Sequence, residues 1–106
     1  MNLKRLGAET LEILKMREQN GGKVSSSSIA CLKHAATEVV EATEAYTKWQ
    51  RSLSNDCLKS DFASELADVF ICILNVAEQE NIDLTKAIYA TVQKNRYRAM
   101  RKGDKL

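Results

Sequence analysis

Proline is absent from these 106 residues, and glycine occurs only four times. Little in the chain can break a helix, and no stretch alternates polar with apolar residues, so a β-sandwich or barrel is excluded. Histidine occurs once, as His34, and Cys31, Cys57 and Cys72 are an odd set without metal-type spacing. Zinc is therefore not expected, and a reducing cytoplasm is the natural compartment. Neither a secretory leader nor a transmembrane run is evident, so no membrane partner is expected. A net charge of +2 is too small to argue for a nucleic-acid partner. Basic residues do cluster between Lys94 and Lys102, but the macrodipole also favours cations in a last helical turn. With 44% hydrophobic and 28% charged residues, the chain reads as one globular domain over residues 1–106.

Apolar spacing predicts four helices, over about residues 3–19, 27–51, 59–80 and 84–101. On the first, Leu3, Leu6, Thr10, Ile13 and Leu14 share one side. Asn20-Gly21-Gly22 ends it, and the serines at 25–28 supply a cap for the second. The second helix is predicted to turn Leu32, Ala35, Val39, Ala42, Thr43 and Tyr46 inward. Residues 52–57 read as a connection. The third directs Phe62, Leu66, Val69, Phe70, Ile73 and Ala77 inward. Asp83 is a good N-cap for the fourth, whose inward arc holds Leu84, Ile88, Thr91 and Val92. An all-α, four-helix bundle-like fold follows. Helix three carries no charge from Val69 to Ala77, and its flanks are apolar too. That excess of apolar surface on a small chain predicts a homodimer or homotetramer.

Two acidic pairs stand out, Glu38 with Glu41 and Glu65 with Asp68. A spacing of three places both members on one helix face. Each pair borders an apolar stripe, so antiparallel packing would gather four carboxylates at the edge of the core. Such a cluster repels itself unless a cation joins it. All-oxygen ligands suit Mg²⁺, with Mn²⁺ as a substitute, and Mg²⁺ points to a phosphate-bearing substrate. A single ExxE means little on a solvated helix; two on adjacent helices beside apolar stripes mean more. Glu44 forms a second, overlapping ExxE with Glu41 and lies further round the helix. Asn95 falls within the inward arc of helix four, where a buried amide would need a partner such as a nucleotide. Lys94 and Arg98, one turn apart, can contact phosphate oxygens. Asn75 is a further substrate-side candidate on the face of Glu65 and Asp68. Tyr46 and Trp49 read as packing residues, and His34 as an exposed one.

The two motifs, with 23 residues between Glu41 and Glu65, resemble the MazG-like all-α nucleoside triphosphate pyrophosphohydrolases, whose pattern is ExxE, a spacer, then ExxD. The surroundings are similar as well. Residues 38–46 resemble the family's first acidic stretch, residues 65–84 its ELADV segment ending in IDL, and residues 87–98 its AI…K…N..R tail. The resemblance implies hydrolysis of nucleoside triphosphates, or of deoxynucleotides, to a monophosphate and pyrophosphate, in a role such as nucleotide-pool house-cleaning. Carried over position by position, it implies Glu38, Glu41, Glu65 and Asp68 as metal-holding and catalytic residues, one of which can be a general base. Thr37 and Ser64 stand where family members often place a further acid, and Cys72 takes a pocket-facing position one turn after Asp68. A non-catalytic helical oligomerisation or nucleotide-binding regulatory module is the competing reading.

Overall fold

A computed structural model describes residues 2–53 and 55–101. Its four helices are α1 (Leu3–Gln19), α2 (Ser28–Gln50), α3 (Asp56–Gln79) and α4 (Leu84–Ala99). Each has an N-cap side chain that accepts from a backbone amide three residues on: Asn2, Ser27, Asn55 and Asp83. A cap of this kind satisfies one of the four amides that a helix start leaves free. Asn55 starts α3 three residues earlier than apolar spacing predicts, so Cys57 is helical rather than part of the connection. That cap lies beyond the first apolar residue of the stripe, which is why periodicity missed it.

Two helix ends close in the same way. After α1, the amide of Gly22 donates to the carbonyl of Arg17 and that of Gly21 to Glu18. After α3, the amide of Ile82 donates to Ala77 and that of Asn81 to Glu78. The residue between must be left-handed, and Gly21 (φ 81°) and Asn81 (φ 55°) are of the types that tolerate it.

α2 and α3 pack antiparallel along their lengths. At one end Tyr46, Trp49 and Phe62 form an aromatic cluster with ring centroids 5.3–6.0 Å apart. At the other, Gln79 reaches Ser26 and Ser28. α1 crosses α3 at Gly7, which lies against the Leu74 carbonyl and the Glu78 side chain. The buried apolar residues are few: Leu11, Cys31, Ala42, Cys72, Leu74 and Ala77.

The inward faces differ from expectation in an informative way. Leu32, Val39 and Tyr46 on α2 and Leu66 and Ile73 on α3 remain exposed. Ala42 and Ala77 are buried as expected, but beside Ala42 the face of α2 that meets α3 carries Cys31 and Glu38, which lay outside the predicted stripe. Helix α4 buries nothing: Ile88, Thr91, Val92 and Asn95, expected to face inward, are all exposed. It touches mainly α1, and sparsely. The radius of gyration, 16.7 Å, exceeds the value of about 13 Å for a closed domain of this length. A strong apolar stripe marks a face suited to packing without saying what packs on it, and here Leu32, Val39, Leu66 and Ile73 stay open.

Candidate active site

Glu38 is 7% exposed, which is unusual for a carboxylate. It occupies the α2 face that α3 covers, seven residues after the buried Cys31 and four before the buried Ala42. That helical spacing leaves it no choice but the interface. Across from it α3 presents Glu65 and Asp68. One carboxylate oxygen from each of Glu38, Glu65 and Asp68 lies within 4.8 Å of the others. The trio grades from buried Glu38 through half-buried Glu65 to exposed Asp68. Two of its oxygens, Glu38 Oε2 and Glu65 Oε2, are buried without a hydrogen-bond partner.

Glu41, the fourth predicted acid, lies outside the trio. It is exposed and lines a second, acidic hollow with Glu44, Asp61 and Glu65. Its influence still reaches Glu38. Burial pushes the Glu38 carboxyl above its ordinary range, and the charge of Glu41 and a hydrogen bond with it push in the same direction. Asp68 adds a smaller upward push, while His34 opposes it. His34 Nε2 stands 3.0 Å from Glu38 Oε1. From sequence His34 is expected to be a plain exposed residue; its side chain is exposed, but the i,i+4 relation brings it onto Glu38.

Beside the trio opens a cavity of about 660 Å³ between the end of α1, the α1–α2 connection and the α2–α3 pair. Glu38 and Asp68 form one end of it. Its back wall holds the buried side chains of Cys31, Cys72 and Asn75, while the exposed Arg17, Lys23 and Lys33 rim it. The α1–α2 connection that lines it is tied at both flanks. Glu18 accepts from the Ser26 amide (2.8 Å) and hydroxyl (3.0 Å), and Gln79 donates to the Ser26 carbonyl (2.7 Å) and to Ser28 Oγ (3.0 Å). Burial raises the thiol pKa values of Cys31 and Cys72, with Glu18 adding to the first and Glu38 to the second.

The substrate-side candidates separate. Asn75 is 5% exposed and lines the cavity, and its Oδ1 has no partner. Lys94, Asn95 and Arg98 are exposed on α4 and do not line the cavity of their own chain. The buried amide expected at Asn95 is found at Asn75 instead. Periodicity favoured Asn95 because it assumed that α4 closes against its own bundle.

The donor set fits a hard divalent cation. Three carboxylates converge, two of their oxygens lack any partner, and no soft ligand belongs to the trio. A cation among the three would offset both the burial and the neighbouring negative charge that disfavour the ionised form of Glu38. Among the described residues no helix is long and apolar enough to cross a membrane. No curated protein and no solved structure matches the chain. A family model does, the MazG nucleotide pyrophosphohydrolase domain, over residues 25–101. The match takes in both acidic pairs, the cavity's back wall and all of α4, and the chain belongs to that family.

Proposed function

We propose that this chain is a Mg²⁺-dependent pyrophosphohydrolase that cleaves nucleoside triphosphates, ribo or deoxy, to a monophosphate and pyrophosphate. The observation that carries the reading is the trio Glu38, Glu65 and Asp68, with its two unpartnered oxygens, at the end of a nucleotide-sized cavity. These three would hold Mg²⁺ (or Mn²⁺), which when bound offsets phosphate charge and acidifies a coordinated water. Glu41, adjacent but outside the trio, is free to accept the proton of the attacking water as general base. Residues 1–106 act as one domain in this reading. Its three free thiols suit a reducing cytoplasm, where clearing unwanted nucleotides is a fitting role.

Lys94, Asn95 and Arg98 act on the phosphates of a neighbouring copy's site, because α4 projects from its own bundle. The exposed Leu32, Val39, Tyr46, Leu66 and Ile73 give α2 and α3 an apolar face for a homodimer or homotetramer. Mixing a Glu41→Ala chain with a Lys94→Ala/Arg98→Ala chain then restores part of the activity that each lacks alone. No restoration in chains shown to co-assemble would place the basic residues elsewhere.

The decisive test is product analysis over a panel of nucleotides with Mg²⁺ and with chelator. Monophosphate and pyrophosphate are expected only with metal. Orthophosphate and a diphosphate would overturn the cleavage position, and equal activity in chelator would remove the metal. Metal binding with no turnover of any nucleotide would leave a binding module.

A further inference from the structure

The back wall of the 660 Å³ cavity carries a polar group that the metal site does not use. Asn75 is nearly fully buried, yet its Oδ1 accepts no hydrogen bond, and its neighbours on the wall are Cys31, Cys72 and Ile71. An amide in such surroundings is normally paired, so an unpaired one calls for a reason. Asn75 stands seven residues after Asp68 on α3. Seven residues are almost two full turns, so both share one face, about 10 Å apart along the axis. That span matches the reach of a nucleoside from its 5′ oxygen to the far edge of its base.

The distribution of charge orients such a ligand. The cavity's cations, Arg17, Lys23 and Lys33, are exposed at the rim, and its carboxylates lie at one end. The depth between is uncharged, with thiols that burial keeps protonated and a single amide. A phosphate would find no countercharge there. A flat heterocycle finds apolar walls and one group able to donate and accept in the same plane.

We infer that Asn75 reads the hydrogen-bonding edge of the nucleobase, making it a specificity-determining residue of a base subsite two turns along α3 from Asp68 and its fellow metal-holding carboxylates. This rests on the nucleotide reading above, and its test is built to fail separately. Asn75→Leu keeps the branched outline of the side chain, with the extra bulk directed into the open cavity, and removes the amide. The wild-type chain is expected to show a much lower KM for nucleoside triphosphates than for ribose 5-triphosphate, which lacks a base. In the variant, KM for the nucleotides rises about tenfold or more while that for the abasic compound hardly moves. The melting temperature stays level or rises, because an unpaired buried amide has been removed; a structural role would lower it. Should Asn75→Leu fail to fold, Asn75→Ala carries the same comparison. An equal rise in both KM values, or a wild-type chain indifferent to the base, overturns the inference. If no triphosphate is cleaved at all, saturation-transfer NMR with free nucleosides at millimolar concentration decides it. Binding that Asn75→Leu abolishes upholds the base subsite although the hydrolase reading has failed, and no binding to the wild type sinks it.

Discussion

Glu38→Gln separates what the buried carboxylate costs from what it does. The substitution keeps the shape and removes the charge. In the metal-free protein, Glu38 has one oxygen facing His34 and one facing nothing, with Glu41 and Asp68 repelling it. An unsatisfied buried polar group costs about 1–3 kcal/mol, more if charged. A glutamine relieves the charge but not every unmade bond, so a gain near ~1 kcal/mol is expected. For a domain of this size that is about 4–8 °C in melting temperature. Mg²⁺ at a hundred times its Kd stabilises the wild type by about 2.7 kcal/mol and the variant hardly at all. The order of stability therefore inverts between chelator and Mg²⁺. The pH dependence has the matching sign. The folded pKa of Glu38 lies above its unfolded value, so in chelator its contribution is fully present below the ordinary glutamate range. It is lost as pH rises through the raised folded pKa, and Glu38→Gln flattens that slope. Calorimetry in chelator and in a MgCl₂ series, at one fixed protein concentration, reads all three effects. A variant less stable than wild type in chelator, with an unchanged response to Mg²⁺, would refute the reasoning and make Glu38 a structural residue.

Asp68→Asn and Glu65→Gln are expected to lower turnover more than about a hundredfold, since outer-shell changes alone cost 10–100-fold, while circular dichroism shows the helices intact. Glu41→Ala abolishes turnover but keeps most of the Mg²⁺ stabilisation, and loss of both would return Glu41 to the ligand set. Gly7→Ala places its Cβ 3.5 Å from the Leu74 carbonyl, an ordinary contact, so the helix gain of about 0.5–1 kcal/mol should appear undiminished in thermal melts. With a thiol reagent near pH 8, exposed Cys57 labels first, and Cys31 and Cys72 lag because burial raises their pKa values; mass spectrometry after timed quenching orders the three. Light scattering at micromolar concentration should show a dimer or tetramer.

The helices were legible because their signals are local. Caps at Ser27 and Asp83, the glycine pair after α1 and the absence of proline act within a few residues of each end. The convergence of Glu38, Glu65 and Asp68 was legible because each acid borders an apolar stripe, whereas the spacing of three alone did not carry Glu41 into the trio. What the sequence could not reveal depends on which neighbour covers a face. Leu32 and Val39 carry the stronger apolar signal on α2 and remain exposed, while α3 covers Cys31 and Glu38 beside Ala42. The same ambiguity misplaced the buried amide, putting it at Asn95 on a helix that leaves its own bundle rather than at Asn75.

Local and global preferences agree along most of this chain, and the exceptions gather in one place. Among the described residues, the buried side-chain atoms left without a partner are Glu38 Oε2, Glu65 Oε2 and Asn75 Oδ1. Each would be better satisfied in water, and each belongs to the α2–α3 pair at or beside one cavity. A sequence under pressure for stability alone would replace all three with apolar residues of similar volume at little cost to helix propensity. Unmet hydrogen-bonding capacity scattered over a fold is a packing defect. Gathered as one carboxylate at the end of a groove, a second just beyond it in the same acidic trio, and an amide two turns along, it describes a ligand with a charged end, which needs a cation, and a neutral polar end, which does not. A nucleotide has that division. It assigns opposite signs to the same experiment at the two ends: neutralising Glu38 removes metal-linked stabilisation, whereas removing the Asn75 amide leaves the metal response intact and changes only which triphosphates bind well. A substitution at Asn75 that weakened Mg²⁺ binding as much as one at Glu38 would collapse the two subsites into one and end this account of the groove.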